Sequence, residues 1–182
     1  MTGRKTDTKT DAKAGVSEEL FGEAKKEAFH LKAEEGIANF AFVRPDVTIP
    51  HGKKLHVKLA GTDSCRASVQ ILNQGGENNL HYHPNMDLMY MVLKGRVRFY
   101  GPDRKVLGEY GMHEGILIPE NSRYWFESVG EEEAHLLQIA GYPKGMKMSK
   151  RVPVEPAKAN KGGVWIGLSD DEHEIRRKNN RL

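Results

Sequence analysis

Between about Phe40 and Gly141 the chain is cut repeatedly into short runs that are apolar or alternate apolar with polar. Among them are "KLHVKLAG", "RASVQIL", "LMYMVLKG", "RVRFYG", "GILIPE", "RYWFESVG" and "AHLLQIAG", with clusters of Gly, Asn, Asp and Pro between them. A period of two puts one side of each run into a core and the other toward solvent, so each reads as a strand. The connections are too short for crossover helices, which leaves antiparallel pairing and an all-β sandwich or barrel.

The flanks read differently. Residues 1 to about 15 carry Lys, Thr, Asp, Ala and Gly without a large apolar side chain, the composition of a disordered arm. From Ser17, "SEELFGEAKKEAFHLKAEEG" places Leu20, Ala24, Ala28 and Leu31 at helical spacing behind a capping serine and leading acids, predicting an amphipathic N-terminal helix across residues 16–39 that stops near Gly36. Its polar face mixes Glu with Lys, so its stripe is expected against protein rather than a membrane. After the barrel region, residues 40–145, the C-terminal extension 146–182 closes with "LSDDEHEIRRKNNRL". There Ser169 and Glu172 form a capping-box pattern for a short helix.

Composition excludes more than it selects. A net charge of +3, from 28 basic and 25 acidic residues among 182, is too balanced for a surface devoted to nucleic acid. The single cysteine, Cys65, allows neither an internal disulfide nor a cysteine-based metal cluster. No apolar run reaches spanning length and the first residues lack a secretory core, so the expectation is a soluble, cytoplasmic chain with no membrane partner.

The stretch "HYHPNMDLMYMVLKG", residues 81 to 95, carries the chemistry. His81 and His83 are one residue apart, so a strand aims both imidazoles to one side. They could share an ion, although a bound transition metal generally needs at least three protein ligands.

Gly75, His81, His83 with the following Pro, and Gly95 stand where the first motif of the cupin superfamily has its fixed residues, and the chain resembles that superfamily over about residues 55 to 141. The resemblance implies a double-stranded β-helix, a small jelly-roll barrel with a ligand cavity. It also exposes departures. The superfamily's metal-binding glutamate falls at Leu88, with Asp87 adjacent but aimed away by alternation. In the second motif only Pro119 survives: His113 and Asn121 replace glycines, Tyr124 replaces the third metal-binding histidine, and Ser128 replaces an asparagine.

Period and resemblance together direct His81, His83, Leu88, Tyr90, Tyr124, Phe126 and Gln138 inward. On the first of two readings, His81, His83 and a Tyr124 phenolate hold a divalent transition metal (Fe, Mn, Ni, Cu or Zn). Tyr90 then acts as proton donor, and Tyr90, Phe126 and Gln138 contact a small polar substrate for oxygenase, isomerase, decarboxylase or lyase chemistry. On the second, the metal centre is lost and the cavity binds a small ligand without catalysis. His51 and His56 are candidate replacement ligands but more naturally surface residues; His30 and His113 read as structural or exposed, His173 as solvated, and His135 could face either way. Met89, Met91 and Leu93 form an outward apolar stripe, which predicts a homodimer that buries it. Trp125 faces away from Tyr124 and Phe126, toward an interface or a helix.

Overall fold

The computed structural model describes residues 23–49, 54–73, 78–155 and 163–166. The chain divides into two units, 1–38 and 39–182. In the first, α1 (Glu23–Glu34) is built from the strong helix formers "EAKKEAFHLKAE". It ends as expected: the Gly36 and Ile37 amides turn back to the Ala33 and Glu34 carbonyls, each at 3.0 Å. The expected start at Ser17, the N-terminal arm, and the helix begun at Ser169 lie outside the described residues.

The second unit is all strand among its described residues, apart from a 3-10 turn at Pro102–Arg104. Its strands are β1 (Lys54–Gly61), β2 (Cys65–Leu72), β3 (His81–Tyr82), β4 (Asp87–Lys94), β5 (Val97–Tyr100), β6 (Val106–Tyr110), β7 (Gly115–Ile118), β8 (Trp125–Ser128), β9 (Ala134–Gly141), β10 (Val152–Pro153) and β11 (Gly163–Ile166). One sheet runs β11-β1-β2-β9-β4-β7; β6-β5-β8 forms a second, and β10 pairs with β3. A bridge between His81 and Tyr124 joins β3 to the start of β8, giving a second wall in the order β10-β3-β8-β5-β6. From β2 to β9 the chain keeps passing between the two walls, β2, β4, β7 and β9 in one and β3, β5, β6 and β8 in the other. That winding is the double-stranded β-helix, with antiparallel pairs throughout both walls apart from β11.

The core lies between the walls. Leu88, Tyr90, Val92 and Leu136 of the first wall meet Val97, Phe99, Tyr124 and Phe126 of the second, all buried. The burial of β4 alternates without a break from exposed Asp87 to buried Leu88, so Asp87 does point away, its Oδ1 accepting from the Glu120 amide at 2.9 Å. A second cluster covers the outer face of the first wall: Leu55, Val57, Val69 and Ile71 pack with Ile49 and Phe42 of the segment preceding β1.

Two expectations need correction, and one element was not foreseen. Leu93 is half-buried, packed against that outer cluster rather than joining the exposed stripe of Met89 and Met91, because the cluster extends to its end of β4. His56 is buried, since it sits on the inward side of β1 opposite Gln70. The C-terminal extension contributes strand β11, parallel to β1 from Lys54↔Gly163 to Val57↔Ile166, which the Pro- and Gly-rich surroundings of "GGVWIG" hid.

Trp125 does face away from the core, but its cover is local. It stacks on Tyr100 with ring centroids at 4.0 Å and an interplanar angle of 7°, and the Arg104 guanidinium lies over it at 5.6 Å.

Candidate functional site

Two residues that carry side chains hold the backbone in a conformation usually left to glycine. His113 and Asn121 adopt φ of 69° and 62°, in the left-handed region that side chains rarely occupy. Each is held by its own amide: His113 N–H donates to the Val92 carbonyl and Asn121 N–H to the His83 carbonyl, both at 2.8 Å. The second bond ties the turn to the histidine pair. Gly95 has φ of 71°, and a Cβ there would sit 3.0 Å from the Ala134 Cα.

His81 is buried on β3, and its Nδ1 lies 2.7 Å from the Asn79 carbonyl oxygen. A carbonyl can only accept, so Nδ1 carries the proton and Nε2 keeps the lone pair. Burial brings the His81 imidazolium down to about 3, with the Arg151 and Lys54 charges acting in the same direction, so the ring is neutral near pH 7. His83, half-buried, is brought to about 4, again by burial first and then by Arg151. The two rings stand 5.3 Å apart at 84°, and Tyr124 lies 4.5 Å from His81 and 6.5 Å from His83.

Tyr90 and Tyr124 meet across the barrel with their hydroxyls 2.8 Å apart. Both are buried, and burial raises both phenols above their usual range. Phe126 packs 5.6 Å from Tyr90 and 6.4 Å from Tyr124. Gln138 stands opposite Tyr90 in the β4–β9 register. The six residues selected from the sequence, His81, His83, Tyr90, Tyr124, Phe126 and Gln138, therefore line one interior, together with Leu88.

Lys54, missed in the sequence, belongs there too. It shares the inward side of β1 with His56, opposite Leu72 and Gln70. Its Nζ lies 5.2 Å over the Phe126 ring and donates to Gln70 Oε1 at 3.1 Å, while Gln70 Nε2 donates to Gln138 Oε1 at 2.6 Å. That chain spends both amide oxygens and leaves the Gln138 amide hydrogens as donors. Burial, with the Arg151 guanidinium adding to it, brings the Lys54 ammonium down to about 7, and burial with Lys54, Arg66 and Arg151 brings His56 to about 3. Arg151 immediately precedes β10, whose antiparallel register with β3 carries it toward His83. The pattern that reveals Lys54 is plain in "KLHVKLAG": Lys54, His56 and Lys58 alternate with Leu55, Val57 and Leu59, so one side of β1 is basic.

This donor set is short of what a divalent transition metal needs. Leu88 offers no donor atom. The Tyr124 hydroxyl is protonated and engaged by Tyr90. Among the described residues no three His, Cys, Asp or Glu side chains gather around one point. His51 lies outside the described residues.

No family model matches the chain, and no curated protein matches it. Solved structures resemble it in part, among them three at low identity. A conserved protein with a double-stranded β-helix domain from Klebsiella pneumoniae aligns at 16% identity over 59% of this chain and 84% of its own, with a TM-score of 0.48. The Cnp3 cupin domain of Schizosaccharomyces pombe aligns at 14% over 57% and 74%, also at 0.48. An RmlC-like cupin protein from Methanocaldococcus jannaschii aligns at 17% over 58% and 91%, again at 0.48. The fold assignment rests on the strand order and winding described above.

Proposed function

We propose that this cupin-like barrel binds a small organic anion in its interior. The observation that carries the reading is the relay from Lys54 through Gln70 to Gln138 beside His81 and His83, with the exposed Arg151 guanidinium acting on both histidines. The inward residues named above include no carboxylate. Such a lining repels a cation and suits a carboxylate or phosphate, whose acceptor oxygens take charge-assisted bonds from Lys and Arg. The aromatic floor of Phe126, Tyr124 and Tyr90 suits a small carbon skeleton. Metal-dependent turnover is the second reading, favoured by the His81 tautomer, which leaves Nε2 able to ligate.

The test is a thermal-shift and NMR titration of the full chain with small carboxylates, phosphates and their uncharged analogues. Anions should raise Tm and the analogues should not, with about tenfold or greater loss of affinity in Arg151→Gln. Elemental analysis of untagged protein separates the second reading. Near-stoichiometric Fe, Mn, Ni, Cu or Zn that disappears in His81→Ala would overturn the anion reading in favour of a metal site.

A further inference from the structure

We propose that the Lys54 amine captures a small 2-oxo acid covalently, holding its carbonyl carbon as an imine inside the barrel. The inference rests on the anion reading above and assigns the ligand's reactive group.

Lys54 is not placed like a surface lysine. It opens β1 on the inward side, its Nζ lies against the Phe126 ring, and its hydrogen-bond partner is the neutral Gln70 amide. A structural buried lysine ordinarily meets a carboxylate, which holds the ammonium charged and unreactive. Here the neighbouring charge is the Arg151 guanidinium, of the same sign. An apolar ring on one side and a like charge nearby are the conditions that turn a lysine into a nucleophile. They also keep the amine substantially neutral near pH 7, since the group titrates at about 7. An ordinary lysine near 10.4 is neutral in only about one molecule in a few thousand at that pH.

The remaining groups suit the other half of the ligand. A carboxylate beside the carbonyl is drawn by the Arg151 guanidinium, an exposed group whose charge acts on Lys54, His81 and His83 alike. The Gln138 amide hydrogens are free to take the carbonyl oxygen as it gathers charge.

The step balances without an oxidant or reductant. The amine lone pair attacks the carbonyl carbon, and an amine proton passes to the oxygen to give a carbinolamine. The carbon–oxygen bond then breaks, and the oxygen leaves as water with the proton that the ammonium had released at the outset. Ammonium and ketone thus become protonated imine and water. Hydrolysis runs the same path backwards, so capture is reversible.

The experiment incubates the full chain with pyruvate and cyanoborohydride near pH 7 and maps the reduced adduct by peptide mass spectrometry, with pyruvate binding followed in parallel by NMR without the reductant. The adduct should form at Lys54 on the order of a thousandfold faster than at surface lysines. It should vanish in Lys54→Arg and slow about tenfold in Arg151→Gln, which keeps the amine. Lactate, a carboxylate without the carbonyl, should compete. Pyruvate that binds but is not trapped, or is trapped evenly over surface lysines, overturns the imine and leaves the anion reading standing. Pyruvate that neither binds nor is trapped, alongside a chain that binds no other small anion, overturns both.

Discussion

The Tyr90 and Tyr124 hydroxyls meet at 2.8 Å although they come from opposite walls of the barrel, one on β4 and the other at the start of β8. Each gives the other a partner at a buried position. Tyr124→Phe should therefore cost about 1–3 kcal/mol, because it leaves the Tyr90 hydroxyl buried without this partner. The double variant with Tyr90→Phe should cost less than the sum of the two single changes, since neither hydroxyl is then orphaned. Urea denaturation of the four proteins measures this, and strict additivity would show that the pair does not interact.

The interior histidines make stability depend on pH in a defined direction. His81 and His56 titrate at about 3 when folded and His83 at about 4, against 6.5 for an unperturbed imidazole. The unfolded chain thus binds more protons over that interval, so the histidines' contribution to stability is complete above about 6.5 and is lost as pH falls toward 4 and 3. The urea midpoint should drop between about pH 7 and pH 5, and less steeply in His56→Gln. A flat profile across that interval would refute the buried, neutral rings.

Close approach of two strands makes Gly115 indispensable. It pairs with Met91, and a Cβ there would run into the Tyr90 carbonyl group. Gly115→Ala should destabilise by about 2–4 kcal/mol, by prising β7 from β4 where Tyr90 is held. Gly141→Ala, with open space around its Cβ, is the control and should stay within about 0.5 kcal/mol of the parent.

Arg44 ties the covering segment to the barrel. Its Nε donates to Glu133 Oε1 at 3.2 Å and its second guanidinium nitrogen to Oε2 at 2.9 Å, while His135 Nε2 lies 2.6 Å from the same carboxylate. The Arg44 hydrogen bond, followed by that of His135, holds the Glu133 carboxyl down at about 2 against the opposing effect of burial. Arg44→Ala should let that carboxyl titrate higher, seen by NMR. It should also cost about 1 kcal/mol, a figure kept small because the pair is partly solvated. Faster amide exchange in residues 39–49 should accompany it; unchanged exchange would mean that the apolar contacts of Phe42 and Ile49 alone hold the segment.

Much of the site was legible because strand geometry converts spacing into direction. The resemblance sets the phase at His81, Leu88 and Tyr124, counting in twos along β4 and β8 adds Tyr90 and Phe126, and the coordinates place all of them in one interior. Lys54 and His56 were written in the same code, in "KLHVKLAG", but β1 also buries the opposite side of its residues under the segment through Phe42 and Ile49. With both sides covered, hydrophobicity no longer says which is the interior.

The sequence by itself determined most of the strands, their turns and which residues of a strand share a side, since those depend on neighbours only a few positions away. Tertiary structure alone decided which side chains meet across the barrel. The Tyr90–Tyr124 bond, the relay from Lys54 to Gln138 and the arrival of Arg151 beside the histidines each join groups from different strands or segments. Such meetings depend on how the walls close and which strands become neighbours, and burial then sets the charge states of the groups they enclose.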